Sequence, residues 1–303
     1  MAKAKKSVDM LMGNSLSRKA FTVINYTLIS LMTIVCIFPL LHILSMSFSN
    51  SAAVEGGLVK IIPVDFTLFN YNFIIRNPKF YRAFFNSVLR VVLAVPISLL
   101  CTILIAYPLS KSKEKLRMRS FYVWVFIVTM LFNGGIVPTY MIVKYTGIYN
   151  TIWSMIIPIA VQVFNMLILM NFFRDLPKEI EEAAIIDGAG HFSILFKIFL
   201  PLSKPALATL TLFIFVNHWN SWFDGLIYFS GQGKQPLQTY LQTILTIPDT
   251  FTMSPQELMI FGKMSRRAIN AAQIVVSTIP IMVVYPFLQK YYSKGLVLGS
   301  VKG

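Results

Sequence analysis

Residues 181–205 read EEAAIIDGAGHFSILFKIFLPLSKP, the one long amphipathic segment with polar flanks between two very apolar runs. Its local chemistry predicts a helix, a tight turn and a second helix. Pro177 suits a first helical turn, where a missing N–H costs nothing, and Asp175 just before it is the expected N-cap. Glu179, Glu181 and Glu182 fall early in that helix, near the positive end of its dipole. Ala183 and Ala184 leave a bald patch that another surface can approach closely. Gly188 is the expected terminator, because glycine takes positive φ without a Cβ clash. The second helix carries Phe192, Leu195, Phe196 and Phe199 at helical spacing and is expected to stop at Pro201. Both pieces are too short to be stable alone, so each needs a surface to dock on. For Phe192, Phe196, Ile198 and Phe199 that surface is expected to be the bundle or a cleft wall.

The whole chain is 303 residues long, 56% hydrophobic and 13% charged, with a mean hydropathy of +0.67. Those values place it outside the soluble domains, in the all-α integral membrane class. Six transmembrane helices are expected, at about 21–48, 83–109, 120–143, 151–173, 205–223 and 268–289. They make one domain over 21–292, with a basic N-terminal segment (1–20), a helix-turn-helix loop (175–204) between the fourth and fifth spans, and a tail (293–303). Seventeen of the 27 basic residues fall in 1–20, 111–119, 174–204 and the closing stretch from Lys290, which by the positive-inside rule puts these segments and both termini in the cytoplasm. The net charge of +15 is spread over loop ends with no basic–aromatic patch, so it reads as membrane topology and not as nucleic-acid binding. Cys36 and Cys101 sit inside apolar runs and read as small core residues.

Polar residues inside such runs are the informative ones. His42, beside Pro39, reads as a satisfied interior group near a kink. Arg90 reads as an interface anchor or an ion-pair partner. Asn133-Gly134-Gly135 and Pro138 interrupt the third run, and broken backbone at membrane depth is tolerated only where protein or a cavity covers it, so this stretch is a candidate pore wall. Residues 49–82 and 225–267 read as external loops with short helices; Ser254 to Glu257 forms a capping-box pattern. The densest polar–aromatic cluster is Asn217, His218, Trp219, Asn220, Trp222 and Asp224. Aromatic faces and side-chain amides together suit sugar rings, which makes Asn217, Trp219, Asn220 and Trp222 candidates for lining a solute route.

No G-x-x-x-x-G-K-[ST] phosphate loop occurs, so ATP hydrolysis by that route is not expected here. Three histidines and two cysteines show no metal-ligand spacing, and the spans lack the acidic relay of a proton-coupled carrier. The expectation is a non-enzymatic passage driven by something outside the chain, with no catalytic residue, cofactor or metal of its own.

Glu182-Ala183-Ala184, Gly188 and Ile198-Phe199-Leu200-Pro201, with Asp187, Ala189 and Pro205, resemble the loop signature of the membrane-spanning subunits of binding-protein-dependent ABC importers. The resemblance runs from about Phe21 to Gly303 and implies that the loop is a coupling helix inserted into a cleft of an ATPase subunit. Glu182, Ala183, Ala184, Asp187 and Gly188 would then be its contacts. The closing GLVLGSVKG is similar to the tail of the maltose-importer-type subunit, which implies ATPase contact for Gly299, Val301, Lys302 and Gly303. Phe132 to Gly135 and Trp219-Asn220 look closest to oligosaccharide importers of the aldouronate or complex-polysaccharide branch. The implied assembly holds a second, distinct permease subunit, two ATPase subunits that bind ATP and Mg, and an extracytoplasmic sugar-binding protein. It lies among the lipids of a bacterial plasma membrane and carries an oligosaccharide. Three other readings use the same residues: an ABC permease for a non-sugar solute, a self-contained secondary carrier, and a non-transport membrane scaffold.

Overall fold

The computed structural model describes residues 16–229, 233–246 and 265–299, and side chains over 19–229, 233–243 and 265–287. Every regular element among them is helical. The chain divides into two compact units, one formed by residues 1–74 and 254–275, the other by 75–253 and 276–303.

In the first unit, α1 (Leu16–Ser47) is followed by α2 (Ser51–Glu55) and by the opening turns of α3 (Phe69–Arg76). Apolar side chains of α1 from Phe21 to Leu44 are exposed all round, as suits a lipid-facing helix, and Cys36 is exposed with them instead of lying in a core. The end of α1 is pinned by polar groups. His42 Nδ1 lies 2.7 Å from the Lys60 carbonyl, the Ser45 hydroxyl donates to the Ile61 carbonyl, and Asn70 Nδ2 donates to Ser47 and Ser49 carbonyls at 3.0 and 3.2 Å. Ser265 Oγ reaches Glu55 at 2.7 Å, beside a small cluster of Ala53, Val54, Val59 and Ala268.

The second unit is built on α4 (Pro78–Ser110), a 33-residue helix. Its start is set by Asn77, whose side chain accepts from Lys79 N at 3.0 Å, with Pro78 at the first helical position. The helix therefore begins five residues before the expected span. Along α4 pack α7 (Val163–Arg174) and α10 (Lys204–Asn220). Between α4 and α7 lie α5 (Arg119–Leu131), α6 (Ile136–Tyr145) and two 3₁₀ turns at Ile152–Met155 and Ile157–Ile159. The loop helices are α8 (Lys178–Ile186) and α9 (His191–Leu202), followed after α10 by α11 (Phe223–Tyr228) and α12 (Leu237–Thr246). The last helix, α13 (Arg266–Gly299), gives its first turns to the first unit and the rest to the second.

Among the described residues three helices are long and apolar enough to cross a membrane: Lys19–Ser47, Pro78–Ser110 and Arg266–Phe287. Of the other three expected spans, the third and fourth are not single straight helices. The third bends by 114° between α5 and α6, the fourth by 48° between its 3₁₀ turns and α7, and the fifth is α10 alone, meeting α9 at 83°. Gly135 adopts φ +88 at the first break, while Asn133 Oδ1 accepts from its N–H at 2.9 Å, so the freed backbone is held locally. The last helix runs to Gly299, so the segment from 293 is helical up to that residue.

Candidate functional site

The loop at 175–204 has the expected helix, turn and helix, with two corrections. Asp175 ends α7 instead of capping α8; Pro177 occupies the N-cap position and gives no side-chain bond. Pro201 does not stop the second helix. A π-turn over Leu195–Phe199, where Leu200 N–H reaches back to the Leu195 carbonyl, widens the helix just before the proline, and helical geometry continues to Leu202. The turn itself is as the glycine predicted. Gly188 has φ +79, its N–H donates to the Ile185 carbonyl at 3.0 Å and the Ala189 N–H to the Ala184 carbonyl at 2.9 Å, the two bonds of a Schellman cap.

One side of this loop is packed and the other is free. Ala184, Ile194, Leu195 and Phe199 join the core made by Tyr107, Phe173 and their neighbours. Tyr107, Phe173 and Phe199 meet edge to face with centroids 5.2–6.3 Å apart, a geometry worth about 0.5–1.5 kcal/mol per pair beyond burial. Glu182, Ala183, Asp187 and Gly188 are exposed. Phe192 and Phe196 also stay outside, 72% and 50% exposed, so only Ile198 and Phe199 of the four expected packing residues turn to the bundle. Ile186, 85% exposed, completes an apolar and acidic outer face.

Glu181 behaves unlike its neighbour Glu182. Only 8% exposed, it lies 3.0 Å from Lys111 Nζ and 3.0 Å from Lys115 Nζ. Lys111, the residue that ends α4, also stands over the rings of Tyr107 and Phe199 at 4.0 and 4.2 Å. Burial alone would raise the Glu181 carboxyl, but the two ammonium groups hold it below its ordinary value. Burial pulls Lys111 below the ordinary amine value despite Glu181. The two directions oppose each other in what the pair contributes. Two 3.0 Å contacts and two facing rings favour the charged pair, with Glu181 ionised at neutral pH.

A second polar centre sits farther along α4. Arg90 is fully buried and pairs with Asp224 through both of its terminal nitrogens; these also point to the Ser221 carbonyl at 3.3 Å and the Met155 carbonyl at 3.4 Å. Asp224 Oδ1 accepts further from Ser221 Oγ at 2.9 Å and Gly225 N at 2.8 Å. Of the two readings of Arg90, this is the ion-pair partner and not the interface anchor. Asp224 borders a cavity of about 320 Å³ whose wall includes Thr129, Asn133, Gly134, Ser154 and Tyr228. The break in the third apolar run and the end of the 217–224 cluster thus meet at one space.

The candidate route residues divide. Trp219 is 2% exposed, its Nε1 donates to the Ser277 carbonyl at 2.9 Å, and its ring stacks on Phe215 and meets Phe84 edge-on. It is a packing residue. Asn217, Asn220 and Trp222 are exposed. Gly299 is the last described residue of α13, whereas Val301, Lys302, Gly303 and the Ser254–Glu257 capping box lie outside the described residues. Sequence reading missed Lys111, Lys115 and Tyr107, which come 66 or more residues before Glu181 and are joined to it only by tertiary packing.

Residues 73–297 match the model of the binding-protein-dependent transport system inner membrane component. The chain is 38% identical to Protein LplC of Bacillus subtilis over 96% of its length and 98% of that relative's. It is 35% identical to the polygalacturonan/rhamnogalacturonan transport system permease protein YtcP of the same organism, covering 95% of this chain and all of the relative. Among solved structures, a subunit of a bacterial ABC transporter involved in the import of the acidic polysaccharide alginate superposes with a TM-score of 0.83 at 32% identity, over 92% of this chain and 99% of the other. With its apolar all-helical fold and its exposed, glycine-capped loop, this chain belongs to the family of binding-protein-dependent transport system inner membrane components, the multi-pass ABC permease subunits.

Proposed function

We propose that this chain is one permease subunit of an ATP-driven importer of oligosaccharides, and that residues 181–205 couple it to a separate ATPase. The sugar cargo rests on relatives named for polygalacturonan, rhamnogalacturonan and arabinooligosaccharides. In this reading the chain crosses the bacterial plasma membrane six times with both termini in the cytoplasm. It pairs with a distinct second permease subunit, sits on two ATPase subunits that bind ATP and Mg, and receives cargo from an extracytoplasmic sugar-binding protein.

The observation that carries the coupling reading is the two-sided loop. Its inner face is fixed in the core through Ala184, Leu195 and Phe199, and its outer face offers Glu182, Ala183, Asp187 and Gly188. A partner that grips the outer face therefore moves a body already joined to the bundle. Ala184 supports the loop from within. The Gly299 to Gly303 tail would add a second ATPase contact. Asn217, Asn220 and Trp222 are the exposed candidates for the sugar route.

Co-purification from membranes in mild detergent tests this, comparing wild type with Gly188→Trp. The wild type should retain an ATPase, a second permease and a sugar-binding protein, and the variant should lose the ATPase selectively. A wild type that is recovered alone and transports without ATP supports the secondary-carrier reading and refutes this one.

A further inference from the structure

The loop helix α8 is joined covalently to α7 and, through the Gly188 turn, to α9 and α10, but not to α4. Yet its one inward carboxylate, Glu181, reaches Lys111 at the end of α4 and Lys115 just beyond. The two successive glutamates have opposite surroundings, Glu181 buried and Glu182 exposed, so the first is not free to serve a partner that grips the outer face. Lys111 is itself fixed, because its ammonium stands over Tyr107 of α4 and Phe199 of α9. From Lys111 the helix leads back to Arg90, about 32 Å away at 1.5 Å per residue. There it holds the Met155 carbonyl, the Ser221 carbonyl and Asp224 at the cavity wall.

We propose that Glu181, Lys111 and Lys115 form a tether that makes α8 and the end of α4 move as one body, so that α4 acts as a rod carrying the loop's displacement to the cavity wall at Arg90 and Asp224. This rests on the coupling-loop reading and adds a third mechanical route to the two flanking helices. The tether residues are positioning residues: they touch neither cargo nor nucleotide. Salt bridges at one end and a buried ion pair at the other give the rod two attachment points, each on a different element of the same unit.

The test uses the whole importer complex in lipid nanodiscs and needs no identified sugar. Thr129→Cys, in a Cys36→Ser, Cys101→Ala background, reports on the cavity through its reaction rate with a membrane-impermeant maleimide, with and without ATP plus vanadate. With Glu181 intact the rate should change by about tenfold on trapping nucleotide, inside the 5–150-fold range of ordinary site–site coupling. Glu181→Gln should reduce that change to less than about twofold while the ATPase still co-purifies, and Glu181→Asp should keep at least half of it on a logarithmic scale. A full nucleotide response in Glu181→Gln overturns the tether, as does a rate that ignores nucleotide in the unmodified tether. Loss of the ATPase in Glu181→Gln also overturns it, since Glu181 would then be a docking residue. Should Glu181→Gln fail to assemble, Lys115→Gln on the half-exposed side replaces it; a response diminished two- to threefold supports the tether and an undiminished one refutes it. Retention of the ATPase by Gly188→Trp would refute the coupling-loop reading instead.

Discussion

Asp224→Asn should destabilise the protein more than Arg90→Met, although both remove one member of the same pair. The guanidinium of Arg90 is fully buried, and its Nε has no hydrogen-bond partner among the described residues. Losing the carboxylate leaves the wholly buried guanidinium without its counter-charge, a loss of about 3–5 kcal/mol. The asparagine amide group also faces a nitrogen that is itself a donor. Asp224 is differently placed. Its side chain is 17% exposed and keeps Ser221 Oγ and Gly225 N when Arg90 is gone, so Arg90→Met should cost about 1–2 kcal/mol. The double variant should resemble Arg90→Met, giving a coupling energy equal to the Asp224→Asn loss, about 3–5 kcal/mol. Thermal melts of the purified complex at one scan rate, followed by size-exclusion fluorescence, measure the order. With about 2–4 °C per kcal/mol for a domain of this size, Asp224→Asn should lower the midpoint by about 10 °C and Arg90→Met by about 4 °C. Equal shifts for the two single variants, or a double variant equal to their sum, would refute the reasoning.

Gly188→Asn should retain the ATPase better than Gly188→Ala in co-purification: no atom crowds the site, so the cost lies in the left-handed backbone, about 1–2 kcal/mol for alanine and less for asparagine. Gly225→Ala should be destabilising by about 1–3 kcal/mol in the same melts, because a new Cβ would lie 2.8 Å from the Pro236 ring and against Thr239 Oγ1. Trp219→Ala should lower assembly and the melting midpoint, a loss of about 3–5 kcal/mol, whereas Trp222→Ala should leave the midpoint within about 2 °C and alter only transport. A pH series separates the tether from general acid damage. The Glu181 carboxyl is held below its ordinary value of 4.5, so its stabilising share is complete above that value and is lost as pH falls through the lower folded value. The midpoint difference between wild type and Glu181→Gln should thus be constant from about pH 8 to pH 5 and shrink only in stronger acid.

The loop was the most legible part of the chain because its signals are local. Gly188 announces a left-handed turn, and the Schellman bonds at Ile185 and Ala184 follow from it. Pro201 misled, since a π-turn upstream absorbs it and no residue type marks such a turn. The spans were legible as apolar length and not as geometry. A helix that is apolar on every side carries no periodic record of which face meets protein and which meets lipid. Trp219 shows the cost: composition joined it to Asn217 and Asn220, while helical rotation turned it into the bundle and them outward. The pairing of Arg90 with Asp224 spans 134 positions and is fixed only by tertiary packing.

The 114° break between α5 and α6 also bears on how the chain enters its membrane. At 1.5 Å per residue the 13 residues of α5 reach about 20 Å and the 10 of α6 about 15 Å, against a hydrocarbon core of about 30 Å. Neither piece presents the insertion machinery with a self-sufficient stop. Their residence in lipid must be secured by neighbours already inserted or following closely behind, with α4 the nearest long apolar helix before them in the chain. Biogenesis of this region is therefore a concerted event: a defect in α4 should surface first as mis-insertion of the segments that follow it, ahead of any fault in transport.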